Sequence, residues 1–173
     1  SVDRSDRMVR QLLDLTAIDY EAADPDPLAP SALLDEAAAN ADLQAQAAKV
    51  TVLTVTDSLP MMHIPRVLIQ SALRNLVENA IQHSPSGGTV TLSARHEGDW
   101  IVFSVRDEGI GIEPAHRDRV TERFWRGPGT MSQGSGLGLS IVAAAVQRMS
   151  GRLTFGSGQG GQDVQIRLPL SPN

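Results

Sequence analysis

The sequence predicts an α+β fold, a two-layer α/β sandwich with helices on one face of a mixed, mainly antiparallel sheet. Three observations carry this. TVTLSARH and WIVFSVRD alternate apolar and polar residues across the turn residues EGD, as a β-hairpin does. RLTFGS and QDVQIRLPL form a second such pair around glycines near the end of the chain. About three further segments carry apolar residues at helical rather than alternating spacing.

The elements follow in order. Residues 1–20 place Met8, Leu12 and Leu15 at spacings of four and three, widened by Val9 and Leu13, with charges on the other face. An amphipathic helix at a chain end needs a partner surface. EAADPDPLAP breaks it with prolines and reads as a linker over 21–30. SALLDEAAANADLQAQAAKV reads as one alanine-rich helix, and VTVLTVT from Val50 as a β-branched strand. A helix started by Pro65 runs to SPSGG, because proline suits the first turn and glycine ends it. In the hairpin, Val90, Leu92 and Ala94 share one face, as do Ile101, Phe103 and Val105. A long irregular stretch from Glu108 to about Ser135 includes a short helix after Pro114. It has the length and glycine content of an active-site lid. GLGLSIVAAAVQRMS is a helix closed by Gly151.

Composition narrows the function. The 173 residues suit one full domain with a fragment of another, and 41% hydrophobic residues suffice for a core. Cysteine is absent, which removes disulfides, thiolate metal sites and thiol nucleophiles. A net charge of −5 and the lack of any basic block argue against a nucleic-acid surface. No apolar run is long enough to span a bilayer, and no signal peptide is visible. The chain opens on SVDRSD, already in helical pattern, so it is expected to be a piece of a longer protein.

Four short motifs carry chemistry. In NLVENAIQH, Asn75 and Asn79 stand four apart on the polar face of an otherwise apolar helix, with His83 one turn further. Asparagine is a poor helix-interior residue, so the pair calls for a partner. Asparagine pairs are more often solvated, and His83 alone suits a polar helix end equally well. Asp107 ends a strand in DEGIGI, ahead of Gly109 and Gly111. A carboxylate there can accept from an exocyclic amino group such as adenine N6 where glycines let a ring approach. An Asx turn is the commoner use of Asp-x-Gly. ERFWRG begins at Glu122, and GSGLGLS, from Gly134, opens a helix whose first N–H groups are free donors for phosphate. Asn79 could offer an amide oxygen to Mg²⁺. No lysine follows any glycine as a P-loop requires, and the glycine spacing does not fit G-x-G-x-x-G.

In this order, NLVENAIQHS, DEGIGI, ERFWRG and GSGLGLSIV resemble the N, G1, F and G2 boxes of the sensor histidine kinases, from about Leu28 to the end. These belong to the gyrase, heat-shock chaperone, histidine kinase and mismatch-repair ATPase superfamily. The last two boxes are similar to those of QseC- or PmrB-type kinases. The resemblance implies a Bergerat-type ATP-binding fold over 31–173. Residues 1–20 resemble the end of the second helix of the dimerisation and histidine-phosphotransfer domain.

The resemblance also assigns roles. Asn79 would be the Mg²⁺ ligand, and Asn75 would lie beside the phosphates. Asp107 would bind adenine N6 in a pocket shaped by Gly109, Gly111 and Ile112. Phe124 and Trp125 would anchor the lid, and Arg126, with Arg123, would reach the phosphates; Asn75 and Arg126 are the candidate catalytic residues. Gly134, Ser135, Gly136, Gly138 and Leu139 would form the phosphate-facing turn, with Leu137 closing over the nucleotide and His83 contacting it.

Cofactors implied are ATP and Mg²⁺. Implied partners are the dimerisation domain and a response regulator, with a homodimer for the full-length protein and a monomer for this piece alone. The setting implied is the cytoplasmic side of a bacterial inner membrane, with the anchor outside this chain. Gln82 stands where the family often has lysine, which shifts phosphate binding toward Arg126.

In water-activating branches of the superfamily a glutamate base occupies the position of Asn75, and asparagine cannot take that proton. Transfer to an external acceptor is therefore expected over hydrolysis. The acceptor histidine is expected upstream of Ser1. The histidines present are His63, His83, His96 and His116; His116 has an acid two residues later but falls within the lid stretch and lacks a hydrophobic helical context, so it reads as a lid residue. The alternative is a degenerate nucleotide-sensing or interaction module that binds ATP and transfers nothing. An anti-sigma-factor serine kinase is disfavoured by the opening helix and linker.

Overall fold

A computed structural model describes residues 2–20, 24–109, 115, 137–158 and 161–171. The helices are α1 (Val2–Tyr20), α2 (Pro30–Asn40), α3 (Asp42–Ala48), α4 (Arg66–His83) and α5 (Gly138–Arg148). The strands are β1 (Asp26–Leu28), β2 (Thr51–Thr56), β3 (Met62–Ile64), β4 (Thr89–Glu97), β5 (Trp100–Arg106), β6 (Arg152–Gly158) and β7 (Gly161–Pro169). Five strands form one mixed sheet in the order β2-β4-β5-β7-β6. β2 pairs parallel to β4 and every other neighbour pairs antiparallel.

The alternation of β4 and β5 becomes cross-strand pairing. Leu92 lies opposite Val105 and Ala94 opposite Phe103. Phe103 in turn faces Ile166, and Val105 faces Val164. These side chains are buried, and α2, α4 and α5 cover them. Ile69, Leu73, Leu76 and Ile81 of α4 and Ile141 and Val142 of α5 meet the sheet in a single core. Burial of one such side chain stabilises by about 1.5–3 kcal/mol before entropy is counted.

Three features depart from the expected elements. The alanine-rich segment is two helices, broken at Ala41 (φ −95°, ψ 0°), so that Leu33, Leu34 and Ala37 of α2 and Ala45 of α3 all reach the core. The proline-rich segment 21–30 carries a strand: β1 pairs antiparallel with β3, with Leu28 opposite Met62, and both are buried. Finally, the left-handed residue after α5 is Ser150 (φ 59°), not Gly151. Gly151 is required for a different reason, because a Cβ there would strike Leu168 and the Arg167 carbonyl.

α1 packs across α4 and α5. Leu15 and Ile18 are buried, while Met8, Val9, Leu12 and Leu13 stay exposed. Glu108, Gly109 and Ala115 apart, the stretch expected to form the lid, with the short helix expected after Pro114, lies outside the described residues.

Candidate functional site

α4 brings the motif residues to two places. From Asn75 to His83 is a little over two turns, roughly 12 Å along the axis. At the Asn75 end lies the start of α5. A Cβ on Gly138 would lie 3.8 Å from Asn75 Oδ1 and 3.7 Å from Gln11 Nε2, ordinary contact distances that place the start of α5 beside Asn75. At the His83 end lies the loop after β5, where a Cβ on Gly109 would collide with the His83 carbonyl.

Asp107 is buried, 5% exposed, and its Oδ1 accepts from two backbone N–H groups, Gly109 at 2.8 Å and Gln162 at 3.3 Å. The first of these is the Asx-type contact, so the common use of Asp-x-Gly is present. The second is not local. Gln162 also accepts from Asp107 N through its carbonyl at 2.9 Å, which fastens the carboxylate to the head of β7. Both bonds converge on Oδ1, which fixes the carboxylate and leaves Oδ2 outside this pair of bonds. Burial raises the Asp107 pKa above 3.8; the backbone bonds from Gly109 and Gln162, and the nearby His83, work in the opposite direction.

Gly161 and Gln162 were not legible as site residues. A Cβ on Gly161 would run into the Asp107 carbonyl, so that glycine is what lets β7 close on the strand end. The signal in the sequence was the glycine run QGGQD, which reads only as a hairpin turn.

His83 holds its Nδ1 2.8 Å from the Asn79 carbonyl, which can only accept, so Nδ1 carries the proton. Its Nε2 is buried without a hydrogen-bond partner. Asn75 is 2% exposed, and both ends of its amide are engaged. Nδ2 donates to the Ser71 carbonyl at 2.7 Å, and Oδ1 accepts from Gln11 Nε2 of α1 at 3.1 Å. Gln11 is a second residue the motifs did not reveal. It stands four before Leu15 and seven before Ile18, in line with the buried face of α1.

Gly138 starts α5 and Leu137 is its N-cap, without a side-chain cap. Ile141 N makes the first intrahelical bond, to the Leu137 carbonyl, and the N–H groups of Gly138, Leu139 and Ser140 have no acceptor within the helix and form its positive end. Leu137, expected to close over a nucleotide, is 0% exposed at the start of α5 and belongs to the core cluster. Leu139 is half-buried beside it. Gly111, Ile112, Arg123, Phe124, Trp125, Arg126, Gly134, Ser135 and Gly136 lie outside the described residues, as does His116.

Among the described residues, no three His, Cys, Asp or Glu side chains gather to hold a metal. Asn79, half-buried, offers one neutral amide oxygen. That donor fits Mg²⁺ arriving with phosphate and water oxygens already in its shell, and does not fit a dedicated protein cage.

Residues 65–172 match the model of the family described as histidine kinase-, DNA gyrase B-, and HSP90-like ATPase. The chain is 34% identical over 169 residues to the sensor protein QseC of Escherichia coli K12, covering 95% of this chain and 37% of QseC. It thus spans well under half the length of the curated relatives it matches. Full-length ShkA in complex with AMPPNP has a similar structure, with a TM-score of 0.84 at 23% identity over 99% of this chain and 37% of that one. So does the histidine kinase ThkA in complex with the response regulator TrrA, with a TM-score of 0.82 at 17% identity over 99% of this chain and 49% of that one. At such identities the likeness to these two structures is one of fold.

Proposed function

The chain belongs to the histidine kinase-, DNA gyrase B-, and HSP90-like ATPase family, and on that premise we propose that it is the catalytic unit of a sensor histidine kinase. It binds Mg-ATP and passes the γ-phosphoryl group to a histidine of a dimerisation domain, for relay to an aspartate of a response regulator. The observation that carries this reading is the pairing of two unlike ends on one helix. A buried, oriented carboxylate stands at the His83 end of α4 and an open helix N-terminus at the Asn75 end.

In this reading Asp107 Oδ2 accepts from adenine N6 while Gly109 admits the ring. The leading N–H groups of α5 receive the phosphates. Asn79 holds Mg²⁺, which neutralises the triphosphate and orients it. Arg126, on the lid, adds positive charge at the γ-phosphate. Transfer breaks the bond between the γ-phosphorus and its bridging oxygen, forms a bond from that phosphorus to a histidine nitrogen, and releases ADP. Asn75 cannot remove a proton from water, which keeps hydrolysis slow and leaves the histidine as acceptor.

Residues 1–20 are then the end of the second dimerisation helix, 21–30 a connection, and 31–173 the ATP-binding unit. The exposed row Met8, Val9, Leu12 and Leu13 supplies the apolar seam of a helix pair in the homodimer. No helix among the described residues is long and apolar enough to cross a membrane. The membrane anchor and the sensed signal belong to other segments, with this unit on the cytoplasmic side.

Radiolabelled ATP and a separate fragment carrying the dimerisation domain test the proposal. The chain should label that fragment's histidine with an acid-labile, base-stable phosphoryl group, and Asn79→Ala should abolish the labelling. Normal ATP binding without transfer would favour the nucleotide-sensing module, and robust self-labelling would overturn the assignment of the acceptor.

A further inference from the structure

α1 is attached in two different ways. Its C-terminal half is anchored by apolar burial, through Leu15 and Ile18, and by Arg148 donating to the Ile18 carbonyl. Nearer Asn75 the contacts are polar. Arg10 Nη2 meets Glu78 Oε1 at 2.6 Å, Arg74 pairs with Asp14, and Gln11 Nε2 holds Asn75 Oδ1 between them. The two ion pairs run in opposite senses, α1 giving a cation to Glu78 and an anion to Arg74.

This polar edge is unevenly satisfied. Arg74 Nε and Glu78 Oε2 are buried without a hydrogen-bond partner. Each of these side chains therefore has one charged partner on α1 and one polar atom left unmatched. Buried polar atoms left unmatched are costly, which makes this polar edge the weaker half of the attachment. The apolar half carries no such cost. The geometry describes a helix that can peel from its N-terminal side while Leu15 and Ile18 hold.

Asn75 is what the peeling would uncover. While Gln11 is in place, the Asn75 amide is spent on Gln11 and Ser71 and is nearly closed to solvent. Resting on the nucleotide reading above, we infer that the Arg10–Gln11–Asp14 edge of α1 is a latch that competes with the triphosphate for Asn75. Docked α1 weakens binding at the phosphate end of the nucleotide, and bound triphosphate loosens α1 to the same degree, because coupling between two sites is reciprocal.

The latch is tested with Asp14→Arg, which sets a second cation against Arg74, and with the swap Asp14→Arg/Arg74→Asp, which restores the pair in reverse. Gln11→Ala removes the central hydrogen bond directly. Isothermal titration with Mg-ATP and with adenosine is combined with hydrogen exchange over residues 5–20. Asp14→Arg and Gln11→Ala should each bind Mg-ATP more tightly, within the about 5- to 150-fold span typical of coupled sites. Adenosine affinity should not change. The swap should return Mg-ATP affinity toward that of the parent. Exchange over residues 5–14 should quicken in Asp14→Arg, and in the parent on adding Mg-ATP, while residues 15–20 stay protected.

Faster exchange with no gain in Mg-ATP affinity would overturn the latch. An equal gain for adenosine would overturn it too, since the effect would then lie in the fold and not at the phosphates. A parent that binds neither Mg-ATP nor adenosine would remove the nucleotide reading itself, and the latch with it.

Discussion

Replacing Asp107 with asparagine keeps the side chain's shape and removes its charge, and the surrounding bonds dictate which way the new amide must face. Two backbone donors, Gly109 N at 2.8 Å and Gln162 N at 3.3 Å, point at Oδ1. An NH₂ group cannot accept, so the amide oxygen takes that place and the NH₂ occupies the position of Oδ2. Adenine N6 would then meet a donor where it had met an acceptor. The loss is one charge-assisted hydrogen bond, ~1–3 kcal/mol, or about 5- to 150-fold in affinity. The same NH₂ suits the O6 carbonyl of hypoxanthine, so ITP should lose less than ATP, or gain. Isothermal titration of parent and Asp107→Asn with ATP and ITP at neutral pH reads both effects. Equal losses for the two nucleotides, or an unchanged ATP affinity, would show that the base is read elsewhere.

Because burial lifts the Asp107 pKa above 3.8, ATP affinity in the parent should fall as pH drops through that raised value, and the fall should be absent in Asp107→Asn. The sign for folding is the reverse. The folded state holds this proton more tightly than the unfolded state, so the group's contribution to stability is present below 3.8 and lost as pH rises through the folded pKa. Denaturant titrations of parent and Asp107→Asn across the acid range measure it. Asn79→Ala should erase the gain that Mg²⁺ gives to ATP binding while leaving metal-free binding intact, as titrations with and without Mg²⁺ would show. Gly161→Ala drives a methyl into the Asp107 carbonyl and should cost ~1–3 kcal/mol in a urea midpoint measurement. Gly156→Ala, whose Cβ would find only ordinary contacts at 3.7 Å and beyond, should stay within about 0.5 kcal/mol.

Periodicity made the sheet legible wherever a strand was long enough to show a period. β4 and β5 each offer three inward residues in alternation, and all six are buried. β1 and β3 have three residues each, too few for any pattern, and Pro27 argues against a strand altogether. Proline is tolerated there because the pair forms a small two-stranded sheet of its own. The break at Ala41 was invisible for another reason: alanine favours helix on both sides, and the demand that both pieces reach the core decides. At the site, Asn75 and Asn79 could be singled out because they interrupt an apolar helix. Gln162 and Gln11 could not, since they act on residues 55 and 64 positions away, and no local rule encodes such a meeting.

β7 is the last strand in sequence and lies between β5 and β6 in the sheet. Translation runs in one direction, so β5 and β6 both emerge before the strand that must pair with each of them. Until residues 161–169 leave the ribosome, β6 has no partner in the sheet, and the main-chain groups of Asp107 and Gln162 cannot meet. The Asp107 carboxylate is therefore among the last parts of the molecule to be set. A polypeptide cut short before β7 would still carry Asn75, Asn79 and the start of α5. It would lack both bonds between Asp107 and Gln162 and keep only the local one from Gly109, so the topology of the sheet leaves this corner of an unfinished product half-built.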